Sequence, residues 1–192
     1  MNKQTSTNDI YVADFTRYKA AHPQETIPCN GVSIGEDPNT LIPSFWLENP
    51  HHCAIDVVNI EQNTSLFKHE DGTPQTQCEC ICYAIREESP AWMLFIELKY
   101  CQSKNRYDNV LTGMHQLKET CKYVLEDKAY FEDSKYKRIF VVSTPEVEPL
   151  DPFDATYFDQ EDMLLFKKEC KAILYLANHL VVHTPVHVKL PA

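Results

Sequence analysis

The sequence is poor in glycine, with only four in 192 residues. Loops that cradle phosphate groups use closely spaced glycines, because the backbone has to approach the phosphate closely. The chain has no such loop, which argues against nucleotide binding of the P-loop or dinucleotide-binding kind. It also has no Gly-x-Ser-x-Gly segment, which argues against the hydrolases that hold a serine nucleophile in that turn.

The chain also lacks an excess of basic residues. Its 18 Lys and Arg face 28 Asp and Glu, which gives a formal net charge of −10. Proteins that bind nucleic acid mainly through electrostatics carry the opposite sign. The acidic residues concentrate in 146–162, where no basic residue occurs, whereas lysines and arginines are frequent in 99–138. An acidic surface of this kind suits a basic protein partner.

No apolar run approaches the roughly 18 residues of a membrane span. The first residues are polar and unlike a signal peptide. We therefore expect a cytoplasmic protein without a membrane partner, whose eight cysteines are reduced. The Cys-x-x-Cys pairs and matched His spacings of zinc sites are absent. The remaining cluster of ligand-type residues, His51-His52-Cys53, is more simply explained without a metal.

Length and apolar content favour one domain, 1–192, of the α/β class. We expect a central mixed β-sheet flanked by helices on both sides. Its core would be a three-stranded meander, an amphipathic helix and a strand that returns to the sheet in a right-handed crossover. These elements are predicted at 53–60, 77–85, 92–100, 107–125 and 137–144.

Other segments surround this core. Residues 1–50 are predicted to pack on it as an N-terminal extension with a short helix at 9–21. Residues 66–68 extend the strand at 53–60 after a turn, and 145–160 form an acidic loop. Residues 160–192 form a C-terminal helix, predicted at 160–180, and an edge strand that contains a proline.

Two charged residues interrupt the apolar strand at 92–100. Glu97 and Lys99 lie two positions apart, so their side chains share one face of the strand. An unpaired buried carboxylate costs several kcal/mol or shifts its pKa. Glu97 therefore needs a partner, which is either the ammonium group of Lys99 or a metal ion.

The preceding strand contributes a second carboxylate. The polar segment after it predicts a hairpin, and a five-residue loop at 86–90 places Glu79 directly opposite Glu97. Opposed side chains have Cβ atoms roughly 4.5–5.5 Å apart. Two carboxylates this close favour a shared proton or a shared cation. Oxygen ligands suit Mg²⁺ or Mn²⁺.

The predicted helix supplies an amide. Beside its apolar stripe runs a narrower one, and the helix packs back across the sheet so that this narrow stripe borders the carboxylates. Gln116 is then placed to hydrogen-bond a carboxylate or a ligand. The narrow stripe consists of Gly113, Gln116, Thr120 and Tyr123.

This arrangement resembles the PD-(D/E)XK nuclease superfamily. The features in common are an acidic residue on one strand, Glu-x-Lys on the next strand and a helix with Gln-Leu-x-x-Thr. The matching residues are Glu79, Glu97-Leu98-Lys99 and Gln116-Leu117-Lys118-Glu119-Thr120. The resemblance implies a restriction-endonuclease-like core over 53–144.

The resemblance also implies a function, namely metal-dependent hydrolysis of phosphodiesters in nucleic acid, in DNA rather than RNA. Glu79, Glu97 and the backbone carbonyl of Leu98 would bind Mg²⁺ or Mn²⁺. Lys99 would orient the attacking water and stabilise charge, and Gln116 would assist. The first acidic residue of the superfamily is usually Asp, so Asp56 is a rival of Glu79 for that position.

Two alternatives stay open. In one alternative, the chain has lost catalysis and acts as a nuclease-like binding or regulatory module with a protein partner. In the other alternative, Glu97 and Lys99 form a structural ion pair without chemistry.

Overall fold

The computed structural model describes residues 1–86, 91–132, 135–149 and 160–191, and the side chains of 160–163 and 165 lie outside that description. The described chain is of the α/β class, with two mixed β-sheets. None of the described helices is both long and apolar enough to cross a membrane. The α-helices are α1 (Phe15–Ala21), α2 (Arg106–Lys122) and α3 (Gln160–Cys170).

The first sheet contains the predicted meander. Its strands, in spatial order, are β1 (Gln4–Ser6), β5 (Ile55–Asn59), β6 (Cys80–Ala84), β7 (Ala91–Leu98), β8 (Tyr136–Ser143) and β9 (Ala172–Leu176). The first four are antiparallel, and β8 and β9 run parallel to β7. The three-stranded meander and the returning parallel strand are therefore confirmed.

A second sheet was not predicted. Its strands, in spatial order, are β11 (His187–Lys189), β10 (His179–Thr184), β4 (Phe45–Glu48), β2 (Ile10–Asp14) and β3 (Val32–Gly35). The prediction of a single central sheet is thus wrong. Residues 1–50 are an integral part of the fold, because they supply one strand to the first sheet and three to the second.

The first sheet lies between two apolar layers. One face packs against the second sheet and α1, through side chains such as Leu94, Phe45 and Phe15. The other face packs against α2, through side chains such as Phe95 and Leu117. The prediction of helices on both faces is corrected accordingly, since strands cover most of one face. β7 is apolar from residue 91 to residue 96 because it is buried on both sides.

Several predicted boundaries are wrong. The helix predicted at 9–21 begins only at Phe15, and the residues before it form β2. The helix predicted at 160–180 ends at Cys170, because Lys171 adopts a left-handed backbone (φ 50°) and β9 follows. A 3₁₀ helix, Glu61–Leu66, replaces the strand extension.

The C-terminal strands and two loops complete the comparison. The predicted C-terminal strand is a hairpin of β10 and β11, of which β11 forms the sheet edge as expected. Most of the hairpin loop predicted at 86–90 and of the acidic loop predicted at 145–160 lies outside the described residues.

Candidate functional site

The end of the β6–β7 hairpin brings Glu79 to Glu97. Pairing runs to Cys80 opposite Ile96, which is the register that the hairpin prediction required. Glu79 precedes β6 by one residue, and its N–H donates to the carbonyl of Ile96 at 3.1 Å. Its Oε2 accepts a hydrogen bond from the N–H of Leu98 at 2.8 Å. Glu97 is completely buried, with 0% exposure.

The pKa values of the two carboxyl groups are both raised, for different combinations of causes. Burial raises the pKa of Glu79 well above its usual range, and the charge of Glu97 raises it further. Burial also raises the pKa of Glu97, but a hydrogen bond from Glu79 and the charge of Lys99 oppose that rise. The rise in pKa is larger at Glu79, because a hydrogen bond from Lys99 stabilises the ionised form of Glu97.

Lys99 supplies the positive charge of the cluster. Its Nζ lies 2.5 Å from Oε1 of Glu97 and also donates to Oε1 of Gln116. Its backbone N–H donates to the carbonyl of Ser143 on β8 at 2.8 Å, which fixes the strand end. The Lys99 side chain is only 7% exposed, so it meets Glu97 away from bulk water. The predicted contact between Glu97 and Lys99 is confirmed.

Helix α2 lies unusually close to the strands at this point. A Cβ atom at Gly113 would lie 2.9 Å from Cγ1 of Val142 and 3.3 Å from Cγ of Glu97. A larger residue would push the helix outward, since the Val142 contact is below the normal limit for carbon atoms. Glycine thus lets Gln116, one turn later, reach Lys99.

The same helix holds the segment that carries Glu79. Gln116 Nε2 donates to the carbonyl of Gln77 at 3.1 Å. Thr120 Oγ1 accepts a hydrogen bond from the N–H of Cys78 at 2.8 Å. The narrow polar stripe of α2 therefore borders the carboxylates, as its spacing predicted.

A pocket of about 210 Å³ leads from the surface to Glu79. Asp14, Arg17 and Glu61 line it. Burial raises the pKa of Asp14, and the charge of Glu61 adds to the rise. The charge of Arg17 also opposes the rise in the pKa of Glu97.

Sequence reasoning missed these pocket residues. Asp14 was placed in the interior of a predicted helix, whereas it caps α1 and accepts from the N–H of Arg17 at 2.9 Å. The available signal was an Asp directly before Phe15, since Asp is a preferred N-cap residue.

The structure does not bring Asp56 to the cluster. Asp56 pairs with Tyr83, four residues from Glu79 and therefore about 13 Å away along the strand. Its carboxylate forms an ion pair with Lys3 and accepts from Thr5 Oγ1 at 2.6 Å. Burial alone would raise the pKa of Asp56, but these contacts lower it.

A divalent ion at this cluster would take few protein ligands. Among the residues that the structure describes, no group of three or more His, Cys, Asp or Glu side chains is arranged to hold a metal, and this includes His51-His52-Cys53. Glu79 and Glu97 offer two carboxylates, which fits an ion such as Mg²⁺ that keeps several waters. The carbonyl of Leu98 stays a predicted ligand.

Comparison with known proteins gives no further indication of function. No family model matches the chain, and neither a curated protein nor a solved structure matches it. The geometry of the cluster therefore carries the functional interpretation.

Proposed function

We propose that the protein is a Mg²⁺- or Mn²⁺-dependent phosphodiesterase that acts on nucleic acid, DNA rather than RNA. In this proposal, β6, β7 and α2 belong to a restriction-endonuclease-like core. The observation that carries the proposal is the buried pair of Glu79 and Glu97 at the end of the β6–β7 hairpin, beside the ammonium group of Lys99.

The residues present fit a divalent cation. Oε2 of Glu97 is buried and has no hydrogen-bond partner among the residues that the structure describes. A cation held by Glu79 and Glu97 would satisfy that oxygen and lower the pKa of Glu79. When bound, such an ion polarises a phosphate and makes a water molecule more acidic.

The chain's own residues supply the other requirements of the reaction. Lys99 is held by Glu97 and Gln116, so its ammonium group is fixed where it can orient a water molecule and stabilise negative charge on the phosphate. Arg17 lines the entry and offers a guanidinium group to a phosphate that approaches Glu79. The cluster's burial strengthens each of these electrostatic interactions.

A reducing compartment is part of the proposal. All eight cysteines belong to the described residues, and all are free thiols. Reduced cysteines are typical of cytoplasmic proteins.

One observation favours a second candidate, a catalytically inactive module that binds a protein partner. Glu97 is completely buried, and Lys99 is 7% exposed and already engaged by two side chains. In that case the cluster is only a buried polar network, and function lies on the outer surface.

Calorimetric titration with Mg²⁺ and Mn²⁺ tests the proposal, together with cleavage assays on single- and double-stranded DNA. We expect binding that is lost in Glu79→Gln and Glu97→Gln, and DNA cleavage that is lost in those variants and in Lys99→Met. Asp56→Asn is the matched control, because it changes a buried carboxylate of the same sheet away from the cluster.

The result that overturns the proposal is unchanged ion binding in both glutamine variants, or the absence of binding and cleavage in the folded wild-type protein. Equal loss in Asp56→Asn would also contradict it, since that would indicate a general effect on folding.

A further inference from the structure

The outer face of the second sheet carries a row of three stacked rings. Tyr11 on β2, Trp46 on β4 and His179 on β10 are neighbours in the strand register. The centroids of Tyr11 and Trp46 are 6.0 Å apart, and those of Trp46 and His179 are 3.9 Å apart. The planes deviate from parallel by 8° and 5°. We call these three residues the aromatic row.

Carboxylates fix the aromatic row in place. Trp46 Nε1 donates to Asp9 Oδ2 at 3.0 Å. His179 Nε2 lies 3.0 Å from Glu48 Oε2. Because Asp9 also accepts from the N–H of Asn49 at 2.8 Å, the row is ordered before any ligand arrives.

The aromatic row ends in an open position. Gly35 on β3 lies directly opposite Tyr11 and has no side chain. A Cβ atom at Gly35 would have one neighbour within 4 Å, the backbone oxygen of Asp37 at 4.0 Å. Adjacent strands are about 4.8 Å apart, so a flat group above Gly35 would stack on the free face of Tyr11.

The charge around this open position is negative. Asp9 and Glu48 are bound to Trp46 and His179 of the aromatic row, and the backbone oxygen of Asp37 lies 4.0 Å from a Cβ atom at Gly35. Burial raises the pKa of Tyr11, and the charges of these three carboxylates add to the rise. The basic residue at the far side of this face, Lys189, pairs with Val181 on β10, away from β3. Negative charge beside an open aromatic face selects a flat cation.

We propose that the position above Gly35 binds the guanidinium group of an arginine from a protein partner, stacked on Tyr11 and paired with Asp9 and Asp37. Arginine combines a flat face for stacking with a fork of donors for carboxylates. A net charge of −10 favours a basic partner over a nucleic acid on this surface. The site lies on the second sheet, so it does not depend on the proposed hydrolase.

Nuclear magnetic resonance titration of the full chain tests this proposal. The probes are a blocked tripeptide, acetyl-Gly-Arg-Gly-amide, its lysine counterpart and adenosine monophosphate. We expect the arginine peptide to shift the amide of Gly35 and the indole of Trp46 in a saturable way that weakens with added salt. The lysine peptide should bind more weakly, because it cannot stack.

Two variants remove the position in different ways. Gly35→Val fills it, and its backbone φ is outside the left-handed region, so the substitution is not strained. Tyr11→Leu removes the stacking face. Each should weaken arginine binding about tenfold, whereas Ser33→Val, a matched change on the same edge strand, should leave it unchanged.

Three results would overturn the proposal. These are the absence of arginine-peptide binding at millimolar concentration, equal binding of the lysine peptide, and unchanged binding in both variants with native-like spectra. Tighter binding of adenosine monophosphate at the same signals would assign the position to a nucleobase instead.

Discussion

Two buried carboxylate–lysine contacts lie on the same face of the first sheet and differ in how they are satisfied. Asp56 receives donors from Lys3 and Thr5, and these lower its pKa although burial would raise it. Glu97 accepts a hydrogen bond from Lys99 but also lies beside a second carboxyl group, that of Glu79. Burial raises the pKa of both glutamates. In the first contact the carboxylate has a lowered pKa, whereas in the second two carboxyl groups with raised pKa values lie beside one ammonium group.

The two lysines differ in the same sense. The side chain of Lys3 is 51% exposed, so water screens its contact with Asp56. The side chain of Lys99 is only 7% exposed, so its ammonium group is largely removed from water. A buried cluster of two acids and one ammonium group costs stability, and such costs are typical of functional sites. This contrast separates a structural carboxylate from candidate ligands.

The largest effect is expected when Lys99 is replaced by methionine. Lys99→Met leaves Glu97 buried without its ammonium partner, so we expect the free energy of unfolding at neutral pH to fall by about 3 kcal/mol. Urea unfolding followed by circular dichroism measures this change. The double variant Lys99→Met with Glu97→Leu should recover to within about 1 kcal/mol of wild type, since matched apolar replacements of buried pairs are often neutral.

That double variant is also the control. If it were as unstable as Lys99→Met, the loss would come from packing and not from an uncompensated charge.

Over a range of pH, substitutions of Glu79 and of Asp56 should change the free energy of unfolding in opposite directions. The raised pKa of Glu79 means that its stabilising contribution is present below about pH 4.5, the unfolded value, and is lost as pH rises through the folded pKa. Glu79→Gln cannot ionise, so in the metal-free protein it should match wild type in acid and be more stable above neutral pH, by on the order of 1 kcal/mol.

Asp56→Asn should behave in the opposite way. The lowered pKa of Asp56 means that its contribution is present above about pH 3.8 and is lost as pH falls through the folded pKa. Asp56→Asn should therefore lose about 2 kcal/mol at neutral pH and approach wild type in acid. Urea unfolding with a chelator present, at about pH 2.5, 4, 7 and 8.5, measures both series. If both variants changed the free energy of unfolding in the same direction, the expected difference between Glu79 and Asp56 would be wrong.

The part of the site that the sequence predicts is local. The register of Glu79 with Glu97 follows from the length of one hairpin, and the stripe with Gln116 follows from the period of one helix. Both depend on residues close in sequence. The contact between Gln116 and Lys99, 17 positions apart, is near the longest that such patterns indicate.

The parts that were missed depend on distant segments. The pocket at Glu79 is built by Asp14, Arg17 and Glu61, which reach it from α1 and from the 3₁₀ helix. The second sheet joins residues as far apart as Glu48 and His179, 131 positions along the chain. Its short strands carry little periodicity. Residues 9–21 fit a helix and a strand almost equally, so tertiary pairing decided between them.

The smallest effect is expected at the exposed lysine. Lys3→Met makes the same chemical change as Lys99→Met, but Thr5 still donates to Asp56 and water can replace the lost ammonium group. We expect a loss of about 0.5 kcal/mol in the free energy of unfolding. High salt should weaken the wild-type contact by a similar amount, because it screens an exposed ion pair. If Lys3→Met lowered the free energy of unfolding as much as Lys99→Met, the exposure of the lysine would not explain the difference between the two contacts. Asp56 would then depend on its lysine partner as strongly as Glu97 does.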